Sequence, residues 1–118
     1  MFRTSHWSLA ALAALVIGCG SAPKPEARLA SSQGAIRGAS EAGADTVPKA
    51  TLYLKLAEEQ RQKALELINA GEMHRADMLL ARAEADAELA IALARESVAK
   101  AEAEKAADEV RALKRRTK

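Results

Sequence analysis

The groups in this sequence that could do chemistry are few: one thiol, Cys19, one histidine beyond the apolar start, His74, a cluster of carboxylates at Glu84, Asp86 and Glu88, and the closing cations. A single cysteine excludes an internal disulfide, so Cys19 needs another role. His74 sits among Glu72, Arg75 and Asp77, and no second histidine or cysteine stands at metal-ligand spacing from it. It reads as an exposed surface histidine. On a helix Asp86 points away from Glu84 and Glu88, so the three carboxylates read as a solvated face. Ser31, Ser32 and Ser40 have neither a base nor an orienting group in view, and Tyr53, at an apolar border, reads as a core or interface anchor. These residues predict no enzyme, no metal and no cofactor, with a hydrolase kept only as the alternative from a different class.

Cys19 is explained by what precedes it. Arg3 and the free amine make a positive start, and the apolar run Trp7 to Ile17 follows. That run is shorter than the roughly 20 residues a bilayer span needs, so it reads as the core of a signal peptide. The closing Val16-Ile17-Gly18-Cys19 resembles the lipobox of bacterial lipoproteins. The resemblance implies cleavage between Gly18 and Cys19 and a diacylglyceryl group on the Cys19 sulfur. Acyl chains contribute about 0.8 kcal/mol per buried CH₂, which makes such an anchor effectively permanent. Gly20 after the cysteine resembles the pattern of lipoproteins passed to the outer membrane, facing the periplasm.

Composition narrows the partners. Lys and Arg number 18 against 16 Asp and Glu, a net charge of +2. No overall field selects nucleic acid. Phe2 and Trp7 lie in the leader, which leaves Tyr53 alone as a stacking surface and excludes a base- or sugar-binding platform. Any core must be made of Ala and Leu.

The elements follow from periodicity. Residues 1–18 form the leader and 19–25 the lipidated cysteine with a linker reaching at most about 20 Å. Residues 26–115 form one helical domain, with helices over about 26–42, 48–69 and 72–115, and 116–118 a basic tail. The first helix carries a small-residue face of Ala27, Ala30, Gly34, Gly38 and Ala42. Asp45 and Thr46 are cap candidates for the second, which Pro48 opens. Its buried side reads Ala50, Leu54, Ala57, Ala64, Leu67 and Ile68, with Glu59 and Lys63 paired outside. Gly71 is a left-handed terminator. The third helix, free of Gly and Pro, is roughly 66 Å long at 1.5 Å per residue. Its seam of Ala76, Leu80, Ala83, Ala87, Ala90 and Ala94 slips beyond Arg95 to Ala99, Ala103, Ala106, Val110 and Leu113. Glu96 with Lys100 and Lys105 with Glu109 support the distal part as i,i+4 pairs.

The short turn at Gly71 makes the second and third helices an antiparallel hairpin, pairing Pro48 with about Ala94. The fold class is all-α, a hairpin with a long third helix in a three-helix, coiled-coil-like bundle. If the first helix runs antiparallel to the second, Cys19 lies at the Gly71 end.

Ala27 to Ala94 resembles a bacterial family catalogued as domain of unknown function 4398. The likeness rests on Gly43-Ala44 followed by Pro48, on Leu52-Tyr53-Leu54-Lys55-Leu56-Ala57, on Ala70-Gly71-Glu72 and on the run Ala83 to Ala90. It implies a helical, often lipid-anchored envelope protein and assigns no functional residues.

Alanine seams bury little area at about 25 cal/mol per Å², so association with a second copy or a partner helix is expected. The leading reading is a non-enzymatic, lipid-anchored helical scaffold or adaptor. The alternative is a peptidoglycan tether or spacer, with Lys114, Arg115, Arg116 and Lys118 contacting the anionic polymer or Lys118 joined to it. In plan, that resembles the murein lipoproteins of enteric bacteria, without their regular heptads or tyrosine-arginine-lysine ending.

Overall fold

The computed structural model describes residues 23–117. Three helices form in order, α1 (Glu26–Glu41), α2 (Pro48–Asn69) and α3 (Met73–Arg116), with a 3-10 turn at Ala44–Thr46 between the first two. All three helices contact one another. No strand occurs among the described residues.

Two glycines with φ near +80° set the topology. At Gly71 the N–H groups of Gly71 and Glu72 donate to the carbonyls of Ile68 and Leu67, at 3.0 and 2.8 Å, which closes α2 in a Schellman motif. The chain then reverses into α3. At Gly43 the N–H donates to Ser40 at 3.0 Å and ends α1. Pro48 opens α2 in the first helical turn, where its missing N–H costs nothing. Neither cap candidate caps α2. Val47 holds the N-cap position without a side-chain cap. The Thr46 hydroxyl turns back to donate to Gly43 at 2.8 Å, and Thr51 ties the helix start to the turn by donating to Ala44 at 2.9 Å. α3 starts at Met73, with Glu72 as its cap residue.

The inter-helix pairs give the directions. Arg28 and Ser31 meet Glu84, while a Cβ on Gly38 would sit 3.4 Å from Ile91. Numbers rise together, so α1 runs parallel to α3 and antiparallel to α2. Gln60 donates to Asp86, roughly one turn further along α3 than equal pairing outward from Gly71 would place it.

The seam on α3 is buried as its spacing predicts: Ala76, Leu80, Ala83, Ala87, Ala90 and Ala94 are all at most 1% exposed. On α2, Ala50, Leu54, Ala57, Ala64 and Ile68 are buried, whereas Leu67 is half-buried on the flank. The expected face of α1 is corrected. Ser32, Ile36 and Ala39 are buried with Leu29 beside them, while Ala27, Ala30 and Gly34 are exposed. Burial on this helix follows the large side chains Leu29 and Ile36, which carry more transferable apolar area than any alanine. Of the two internal glycines, only Gly38 allows a close approach.

The core falls into two clusters. One joins Ile36, Ala39, Ala44, Ala50, Leu54, Ala57, Ala87, Ala90 and Ala94, with Tyr53 half-buried against it. The other joins Ala64, Ile68, Ala76 and Leu80 near Gly71. Gln60 and Arg61 lie between them along α2, and Gln60 Oε1 and Arg61 Nε are buried without a hydrogen-bond partner. A polar waist therefore interrupts the α2 seam.

Candidate functional surfaces

Burial on α3 stops at Ala94. From Arg95 to Thr117 every residue but the half-buried Ala112 is exposed. α3 projects beyond the hairpin because α2 is half its length, at 22 residues against 44. On this projection Ala99, Ala103, Ala106, Val110 and Leu113 keep the heptad spacing without a covering helix, and Val110 and Leu113 are 49% and 59% exposed. Glu96 accepts from Lys100 at 2.6 Å, and Arg111 pairs with Asp108 at 2.8 Å. The Lys100 contact lowers the Glu96 carboxyl below its ordinary 4.5 and raises the Lys100 ammonium above 10.5. No ion pair forms between Lys105 and Glu109, or between Glu59 and Lys63, among the described residues; both pairs are corrections to the sequence reading.

The closing cations do not gather into one patch. Lys114, Arg115 and Arg116 occupy the last turn of α3, exposed. Successive residues differ by about 100° around a helix, so their side chains ring the tip and complement the dipole there. Lys118 lies outside the described residues, as do Gly18 and Cys19.

The carboxylates diverge. Glu84 faces α1, accepting from Ser31 at 2.9 Å and from Arg28 at 3.3 Å. Arg28 also lies 3.7 Å from Asp77. Asp86 faces α2 and accepts from Gln60 at 2.7 Å, while Glu88 is exposed. Ser31 thus has a carboxylate neighbour that sequence reasoning missed. The pair is separated by 53 positions, and no local spacing could have signalled it. Shared between a hydroxyl and a guanidinium on an open flank, Glu84 clamps α1 onto α3. Ser32 and Ser40 donate to backbone carbonyls within α1. His74 is exposed, at a shallow depression shared with Pro23, Lys24, Pro25, Met73 and Asp77.

Sequence reasoning also missed a groove at the Gly71 end of the hairpin. Leu67 on α2 with Met78 and Leu79 on α3 form its apolar part, and Lys63, Arg75 and Arg82 surround it. The signal was available in outline, since pairing outward from Gly71 brings Lys63 near Arg82. Among the described residues no three His, Cys, Asp or Glu side chains converge as a metal site. No described helix is long and apolar enough to cross a membrane.

No protein-family model, curated protein or solved structure matches the chain.

Proposed function

We propose that the chain is a non-enzymatic, lipid-anchored scaffold or adaptor at the periplasmic face of the outer membrane. The observation that carries the scaffold part is the uncovered heptad row Ala99, Ala103, Ala106, Val110 and Leu113 on a helix that leaves its own bundle. Small residues at that spacing suit close approach by a partner helix, which would read them as i, i+4, i+7 anchors. The anchor part rests on Cys19 and its flanking residues. Pro23 shares a depression with Met73 and His74, and four residues of chain span at most about 14 Å. An acylated Cys19 would thus tie the Gly71 end to the bilayer and direct the projection away from it, roughly 65 Å along α3.

Two measurements test the two parts. Cys19→Ala is expected to move the protein from the membrane fraction to the soluble fraction with its helical signal unchanged; unchanged fractionation refutes the anchor. A photo-crosslinking residue at Ala103 or Val110, activated in intact envelopes, is expected to give a discrete adduct. Loss of the scaffold reading follows if adducts form equally from exposed positions on α2.

A second reading, a peptidoglycan tether, is favoured by the ring of cations at the far tip of α3. Muropeptide mass spectrometry and sacculus sedimentation decide it, since a tether must leave either a linked peptide or sacculus-bound protein.

A further inference from the structure

We propose that the groove between α2 and α3 at the Gly71 end docks on anionic phospholipid of the bilayer surface. This rests on the anchored reading only for proximity. The groove combines an apolar part, Leu67, Met78 and Leu79, with the cations Lys63, Arg75 and Arg82. Arg75 is held by Glu72. Lys63 and Arg82 face the same groove from opposite helices, and neither forms an ion pair among the described residues. With Arg75 they edge the groove with positive charge, and a positive edge on an exposed surface attracts anions. The charge pattern therefore calls for a negatively charged occupant.

The apolar part selects among anions. Met78 is 61% exposed beside these cations, and a thioether in that position gains from contact with acyl chains, as on an amphipathic surface lying at a bilayer boundary. A phosphodiester headgroup with its first methylenes satisfies both halves of the groove. A soluble anion satisfies only the charge, and a second copy meeting this one groove to groove would oppose cations to cations. Position agrees with the lipid. Arg75 and Met78 lie in the first two turns of α3, at the same end as Pro23, from which the chain runs back to Cys19. The groove would hold the hairpin tip down and fix the tilt of α3, where an acyl anchor alone leaves a swivel.

The test uses the full-length, processed protein carrying Met78→Cys labelled with a polarity-sensitive fluorophore. It is reconstituted in vesicles of phosphatidylcholine alone and of phosphatidylcholine mixed with phosphatidylglycerol. A blue shift is expected only with phosphatidylglycerol, reversed by salt. The further substitutions Lys63→Gln and Arg82→Gln, both on exposed side chains, are expected to weaken it on the order of 10-fold or more, at roughly five-fold per cation. Circular dichroism checks that the variant keeps its helices. Equal emission in both vesicle types, or a shift untouched by the two substitutions, overturns the proposal. So does a shift produced by soluble glycerophosphate, or one that follows protein concentration without lipid. Intact mass reports Cys19 acylation separately, so a missing anchor and an idle groove give different results. An unacylated chain that still sediments with phosphatidylglycerol vesicles through Lys63 and Arg82 supports the groove and refutes the anchor.

Discussion

Gln60 donates a 2.7 Å hydrogen bond to Asp86 across the interface of α2 and α3, at the level where the two apolar clusters separate. Its neighbour Arg61 takes the place in the α2 seam that the spacing of Ala57 and Ala64 reserves for an apolar residue. A bond to a carboxylate contributes more than one between neutral groups and fixes the register of two helices whose alanines would otherwise slide. Gln60→Ala is expected to lose about 1–3 kcal/mol, and a double-mutant cycle with Asp86→Ala to show coupling. Additive losses in chemical denaturation would disprove the link.

Arg61 makes the opposite prediction. Its Nε is buried without a partner, and replacing a poorly satisfied buried polar group by an apolar one of similar reach is neutral or stabilising. Arg61→Met is expected to raise the unfolding midpoint, with a gain of about 1 kcal/mol. A clear drop in a thermal melt would mean that the guanidinium makes contacts that matter.

Gly71 holds φ at +80°, a conformation that costs an L-residue about 1 kcal/mol or more. No atom beyond Gly71 and its two chain neighbours lies within 4 Å of an added Cβ there. Gly71→Ala therefore isolates the backbone term, and urea titration should show a loss of about 1 kcal/mol with an unchanged slope. A substantially larger loss would point to a clash that the open space around Gly71 does not provide.

Alanine is required on one half of α3 and not on the other. Ala90 is fully buried, so Ala90→Leu forces the helices apart and is expected to cost about 1–3 kcal/mol. Ala103 is exposed, and Ala103→Leu should leave the stability of the bundle unchanged within about 0.5 kcal/mol. Equal effects at both positions would place the bundle boundary elsewhere than Ala94.

The Glu96 and Lys100 pair predicts a pH window for the projecting helix. Glu96 is lowered below 4.5 by the hydrogen bond and charge of Lys100, so its contribution is complete above that value and is lost as pH falls through the lowered one. Lys100 is raised above 10.5 by the same partner, so its contribution holds below that value and fades as pH rises through the raised one. Distal helicity, followed by amide exchange, is expected to be greatest between these limits. Glu96→Gln should flatten the acid limb, and an unaltered acid limb would dissociate it from this pair.

The long seam from Ala76 to Ala94 was legible because a stretch free of Gly and Pro repeats small residues at alternating steps of four and three. The Gly71 reversal was legible for the same kind of reason, since one residue type satisfies one backbone need. The α1 face was not. Its alanines and glycines gather on one half of the helix, but such a face carries little apolar area, and Leu29 with Ile36 on the other half decides which side is covered. Arg61 in the α2 seam was hidden by its residue type, because a long cation can bury its stem and still reach outward. The Ser31 to Glu84 contact depends on α1 running parallel to α3, a long-range property that neither segment encodes alone. The cationic groove needed the same cross-helix view, although its members sit in plain sight on both sides of Gly71.

The parallel course of α1 and α3 has a mechanical consequence. Tension applied between the chain ahead of Pro23 and the far end of α3 draws those two helices in opposite directions along their shared interface. The bundle is then stressed in shear, so the Arg28 and Ser31 contacts with Glu84 and the packing of Ile36 and Ala39 resist together rather than peeling one after another. An antiparallel α1 would have met the same pull by unzipping.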